Sequence, residues 1–177
     1  MPAEINAEVG SPTANSYSTV AEADAYHEAR LDSDTWDNAI PDLKVRALIT
    51  ATRLLDEHMD WDGSPTTSEQ NLAWPRVAAF DCEGYLYDHL GRVIESNEIP
   101  QKLKDATVEF ARLLLDSDRT VDSTEGVSAV QVGTISVSFS ETRPAPRKVV
   151  PDAVFEMVSQ WGSRYNAQSC TVPLVRV

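Results

Sequence analysis

The sequence predicts a mainly α fold: a small bundle of about four helices with one or two β-hairpins and extended terminal arms. Three observations predict it. Two long segments, opening at Pro41 and Pro100, set apolar residues at helical spacing along one stripe. Between Val127 and Phe139 the period changes to two, with Ile135, Val137 and Phe139 alternating with Ser136, Ser138 and Ser140. The first sixteen residues show no period, and Arg143–Lys148 holds Pro144 and Pro146, which makes it a semi-rigid linker to the end of the chain. The expected organisation is an arm over 1–16, a helical core with hairpins over 17–142, and a linker, helix and tail over 143–177.

The elements follow in order. Thr19 and Glu22 have the spacing of a capping box, so a first helix is expected over about Val20–Arg30, with Ala21, Ala25 and Ala29 on a close-packing face. A short helical turn is expected around Trp36, between Ser33 and Asn38. Pro41 suits the first position of a second helix, where a missing N–H is harmless. Val45, Leu48, Thr52, Leu55 and Met59 form its stripe, and Asp42 and Arg46 form an i,i+4 pair. Trp61–Gln70 is a loop with Gly63 and Pro65. A hairpin is expected from Ala78–Asp88 and Arg92–Glu95, with turns at Gly84 and Gly91. The third helix, from Pro100, has one stripe of Leu103, Ala106, Phe110 and Leu114 and a second of Val108, Ala111 and Leu115. A helix apolar on two faces is central in its domain or partly covered by another subunit. Asp116–Gly126 is a charged loop, and Val127–Phe139 is a strand pair broken at Gly133. Pro151 opens a fourth helix with Val154, Val158 and Trp161 on one face and Gly162 near its end.

At 177 residues and 42% apolar composition the chain is long enough for one real core. No stretch approaches the ~20 apolar residues of a membrane span. Met1–Gly10 lacks the charged and apolar regions of a signal peptide, so a soluble protein made in a cytoplasm is expected. Cys82 and Cys170 read as reduced thiols, since their separation matches neither a disulfide framework nor a zinc site.

The net charge of −13 argues against a surface built to neutralise phosphates. It is unevenly placed. From Arg143 onward five basic residues meet two acidic ones, a balance of +3, whereas the first 142 residues hold ten basic and 26 acidic residues, a balance of −16.

Catalytic patterns are missing from the sequence. There is no Gly-x-Ser-x-Gly, phosphate loop or dinucleotide fingerprint. His27, His58 and His89 are well separated, and a lone histidine is usually a surface or capping residue. Asp60-Trp61-Asp62-Gly63 lacks the further ligands of a calcium loop. No catalytic residue, metal or cofactor is therefore expected. Trp36, Trp61, Trp74 and Trp161 suit core or interface packing better than base stacking, because acidic residues flank Trp36 and Trp61. Trp74, beside Arg76, is the exception.

The most informative stretch is Asn71–Arg76, Asn-Leu-Ala-Trp-Pro-Arg. Leu72, Trp74, Pro75 and Arg76 read as the anchor of a long loop, with Pro75 pushing Trp74 toward extended geometry. Other short motifs accompany it in order. Asn15-Ser16-Tyr17 comes first, then Ala47–Asp56, then Asp81-Cys82-Glu83-Gly84. Glu98-Ile99-Pro100, Leu103–Thr107, Val132-Gly133 and Ile135-Ser136-Val137 follow. From Asn15 to Phe139 this order resembles a family of tailed-phage and prophage proteins labelled DnaT-like single-stranded DNA-binding proteins. It is also similar to phage head–tail adaptors, known too as connector or head completion proteins. Extra residues between Gly84 and Glu98 depart from that pattern.

The adaptor resemblance implies a virion protein made in the bacterial host cytoplasm: a structural ring, commonly of twelve copies, under the portal. Its partners would be the portal protein, a tail-completion or stopper protein, further copies of itself, and genomic DNA passing through the lumen. No membrane is involved. The DnaT-like label implies single-strand binding instead, through a patch such as Arg76, Arg92 and Lys102. The charge favours the adaptor, because an acidic lumen repels passing DNA. On that reading the portal or partner interface comprises Arg143, Arg147, Lys148, Trp161, Arg164, Tyr165, Val172, Leu174, Val175, Arg176 and Val177. Subunit contacts fall on Val108, Ala111 and Leu115.

Overall fold

The computed structural model describes residues 4–78, 86–120, 129–132, 135–138 and 148–165. Helix α1 spans Val20–Glu28, and the Thr19 capping box is formed on both sides. The four-residue α2, Asp34–Asp37, carries Trp36. The long α3 runs Pro41–His58 with proline at its start, and α4 runs Gln101–Asp116. The last helix, α5, is Asp152–Val158, and a single 3-10 turn, Ser159–Trp161, follows it.

Helix α4 is central. Its most extensive packing is against α3, and α5, α2 and α1 also pack on it. Leu103, Ala106, Val108, Phe110 and Ala111 are all buried, so most of both apolar stripes is covered within the chain, whereas Leu114 and Leu115 at their ends are half-buried. The α3 stripe of Leu48, Thr52, Leu55 and Met59 faces the same core. Helix α1 turns differently from expectation. Ala21, Ala25 and Ala29 are exposed, and Ala23 and His27 are the buried pair. Bulkier Tyr26 and His27 drive this rotation, since they bury more apolar surface than three methyl groups.

The expectation of a mainly α bundle is corrected to a mixed α/β architecture. Among the described residues eight short strands form four two-stranded antiparallel ladders beside the five helices. Strand β1, Met59–Trp61, continues directly from α3 and pairs with β8, Gly162–Arg164. Strand β2, Ser64–Pro65, pairs with β3, Arg76–Val77. Strands β4, Leu86–Tyr87, and β5, Val93–Ile94, form one hairpin; β6, Ala129–Val132, and β7, Ile135–Ser138, form another. The first two ladders join residues distant in sequence, and strands of two or three residues are too short to show a period of two. Gly162 caps the 3-10 turn that follows α5, as expected near the helix end, and it also begins β8. A Cβ there would sit 2.5 Å from the Asp60 carbonyl oxygen, so the close approach of β8 to β1 needs glycine.

The N-terminal segment is not an extended arm. The Asn6 N–H donates to Asn15 Oδ1 and the Asn15 amide donates to the Glu4 carbonyl, which closes a loop. Asn71 then donates to the Ala14 carbonyl. Ala14, Ser16, Tyr17 and Ser18 are buried beneath.

Candidate functional site

Two regions combine aromatic and arginine side chains, and their chemistry is opposite. The first is built around Trp74. Its ring lies edge-on to Trp61 at 5.9 Å and to Trp161 at 5.7 Å between centroids, and all three are buried. Edge-to-face pairs at such distances add to the burial of large apolar area. Trp61 comes from β1, Trp74 from the loop before β3 across a cis peptide to Pro75, and Trp161 from the 3-10 turn. The indole N–H of Trp161 donates to the Tyr87 carbonyl at 2.8 Å, tying in the β4–β5 hairpin.

Arg76 sits beside this cluster, buried, and donates to four carbonyls. They belong to Asp62 at 2.8 Å, Ala73 at 3.1 Å, Trp61 at 3.1 Å and Gly63 at 2.7 Å. Gly63 adopts φ +74°, and a Cβ there would lie 2.0 Å from the Val77 carbonyl oxygen. Tyr17 donates to Asp56 and accepts from the Trp74 N–H, while the Asp56 carboxylate also accepts from the Ala73 N–H. Burial raises the Asp56 carboxyl above its ordinary range, and burial followed by the Asp56 charge lifts the Tyr17 hydroxyl well above its own. Asn15-Ser16-Tyr17, Asp56 and Asn71–Arg76, far apart in sequence, thus converge. Tyr17 and Trp74 are closed to solvent, so the convergence holds the fold and presents no reactive group.

The second region is the β4–β5 hairpin and the start of α4. The register pairs Leu86 with Ile94 and Tyr87 with Val93. Ile94 is buried, whereas Tyr87 and Val93 are exposed as a cross-strand pair. At the tip, Asp88 Oδ1 accepts from the Leu90 and Arg92 N–H groups, each at 2.8 Å, and Gly91 takes φ +75°. Those backbone bonds hold the Asp88 carboxyl below its ordinary range. The rigid turn presents His89, Leu90 and Arg92. Between the tip and α4 lies a cleft of about 310 Å³, lined by His89, Arg92, Gln101 and Lys102 among others and floored by Trp161. Asp88 and Glu98 also line it, and Arg92 pairs with Asp88 at 3.2 Å. The first turn of α4 holds no acidic residue and has no side-chain cap. Its N-terminal amides and helix dipole therefore favour an anion at this end.

Of the expected basic patch, Arg92 and Lys102 meet at this cleft and Arg76 does not, because main-chain carbonyls take up its donors. The cleft was hard to find from sequence, since its cations are ten residues apart and separated by a turn.

Of the expected partner interface, Lys148, Trp161, Arg164 and Tyr165 fall among the described residues. Trp161 is buried. Lys148 and Arg164 both pair with Asp152, at 2.8 and 2.7 Å, and Arg164 also lies over the Phe155 ring. Tyr165 is exposed. Arg143, Arg147, Val172, Leu174, Val175, Arg176 and Val177 lie outside the described residues. Among the expected subunit contacts, Val108 and Ala111 are buried inside the chain's own core and offer no surface, while Leu115 is half-buried. Leu72 is half-buried against the core, next to the buried Trp74, Pro75 and Arg76. No group of three or more metal-ligating side chains occurs among the described residues. No helix among them is long and apolar enough to cross a membrane.

The sequence model of one protein family, described as "Putative DnaT-like ssDNA binding protein", matches residues 4–177. Neither the curated proteins nor the solved structures give a match.

Proposed function

From the premise that the chain belongs to this DnaT-like family, we propose that it binds single-stranded DNA at the cleft between the β4–β5 hairpin and α4. The observation that carries the proposal is the meeting of Arg92 and Lys102 at one cleft beside the uncapped start of α4, with Tyr87 exposed on the same hairpin. Arg92 and Lys102 supply two phosphate contacts, and the α4 amides add a partial positive charge. Tyr87 supplies a stacking face, which accepts any base. The net charge of −13 opposes a longer polyanion track, so the site takes a few nucleotides. Stacking therefore carries much of the affinity, and salt dependence is shallow. Two phosphate contacts on a single strand give a slope of log K against log salt of about −1.4.

The test is fluorescence anisotropy with a labelled oligothymidine across a salt series. Binding with a shallow slope, weakened by the Arg92→Ala, Lys102→Ala double substitution, is the expected result. Binding unchanged by that substitution, or no binding at low salt, refutes the assignment.

A second reading is favoured by the charge. A body of −16 over the first 142 residues suits a structural head–tail adaptor whose ring lets DNA pass without adhering. On that reading the chain sits under a portal ring and contacts a stopper protein. Co-sedimentation with portal rings, read by mass and electron microscopy, decides it. A stoichiometric ring on the portal supports the adaptor; no association, together with retention on single-stranded DNA, removes it.

A further inference from the structure

The cleft between the β4–β5 hairpin and α4 is balanced in charge when its histidine is neutral. Its lining holds Asp88 and Arg92 from the hairpin tip, Glu98 from the connection that follows, and Lys102 from α4. Two cations and two carboxylates cancel, and Arg92 is already paired with Asp88 at 3.2 Å. Gln101 adds no charge and turns its amide to Asp105, one turn along α4, at 2.8 Å. The rest of the lining is uncharged apart from His89. A balanced cleft draws in a phosphate chain only weakly, so one further charge decides its sign.

His89 is placed to supply that charge. It is exposed on the turn between β4 and β5, directly after Asp88. That turn is fixed, because Asp88 Oδ1 accepts from the N–H groups of Leu90 and Arg92 on the far side of His89. The backbone bond from Arg92 is the main cause that holds the Asp88 carboxyl low, and the His89 charge is a smaller one, which sets the imidazole near that carboxyl. Imidazole is the side chain that ordinarily changes charge between pH 5 and 8. Protonation gives the cleft a net positive charge and makes both ring nitrogens donors. The other two histidines stand elsewhere, His27 in the core and His58 in the last turn of α3.

We propose that protonated His89 is a third phosphate contact of this cleft, so that binding a single strand takes up a proton. The inference rests on the reading of the cleft as a single-strand site. Carboxylates ordinarily stay ionised from pH 5.5 to 8, so across that window the imidazole alone shifts the balance. The bound strand favours the charged ring, and affinity therefore rises as pH falls.

The test is oligothymidine anisotropy with the full chain, over a salt series at pH 8 and again at pH 5.5. Binding at low salt is expected to be roughly tenfold tighter at pH 5.5, as suits one added hydrogen bond to a charged group. The slope of log K against log salt is expected to steepen from about −1.4 to about −2.1, since each phosphate contact on a single strand contributes about 0.7. His89→Gln should show one slope at both pH values. His89→Arg should show the steeper slope at both, because its charge is permanent. His58→Gln, outside the cleft, should keep the full pH dependence. Binding that is the same at both pH values overturns the proposal and leaves the single-strand reading standing, and so does a pH dependence that His89→Gln retains. No binding at either pH overturns both.

Discussion

Trp74 with Arg76 and Tyr87 with Arg92 each set an aromatic ring close to an arginine, two and five residues apart in one sequence, yet the two pairs play opposite parts. Trp74 is enclosed by two other tryptophans, and Arg76 spends its donors on four carbonyls. Tyr87 and Arg92 stand on a two-stranded hairpin whose outer face is open. A buried arginine with four of its five N–H donors on main-chain carbonyls is a structural clamp, while one with an exposed guanidinium is available to a phosphate. An aromatic next to an arginine is therefore no signature of nucleic-acid binding until the partners of both are known.

Substitutions separate the two regions by effect. Trp74→Ala should remove about 3–5 kcal/mol of stability, read by urea unfolding, because three elements lose their common contact. A small loss would mean that the tryptophan cluster collapses around the gap and does not hold the loop. Arg76→Met should cost about 3 kcal/mol or more, since it leaves buried carbonyls without donors.

A third change probes a buried group in neither region. His27 is fully buried between Tyr26 and Trp36, and burial lowers its pKa to about 4. Its unfolded value is about 6.5, so the unfolded chain binds the extra proton first. The stability due to the neutral ring is complete above pH ~6.5 and is lost as pH falls toward about 4, up to about 3 kcal/mol. His27→Phe should flatten that part of the stability–pH curve; an unchanged slope would show that other groups set it.

The hairpin substitutions should leave stability within about 0.5 kcal/mol, as surface changes usually do. Tyr87→Ala should weaken oligothymidine binding by about 1–3 kcal/mol, the range for one stacked base, measured by anisotropy. Arg92→Ala or Lys102→Ala should act more gently and reduce the salt slope by about 0.7 each. If Tyr87→Ala destabilised the fold as Trp74→Ala does, the contrast between the two regions would fail.

Much of the helical part was legible. Pro41, the Thr19 capping box and the stripe from Leu48 to Met59 are local signals, and the structure meets them where they stand. The rotation of α1 was not legible, because alanine spacing says nothing about which neighbour buries more area. The mixed α/β class was missed because β1–β8 and β2–β3 pair residues distant in sequence. Of the candidate site, Arg92 and Lys102 were legible as cations. That Arg76 turns inward was not, since its four acceptors come from two separate stretches, Trp61–Gly63 and Ala73.

The sequence by itself determined the acidic charge, the helix starts and the ordered motifs that mark the family, because each is a property of composition or of a few adjacent residues. Only the tertiary structure decided which motif residues are walled in and which face water. Burial is set by what arrives from elsewhere in the chain. The Trp74 ring is closed off by Trp161 and the Arg76 guanidinium by the Trp61–Gly63 carbonyls, contacts that exist only once distant segments have been brought together.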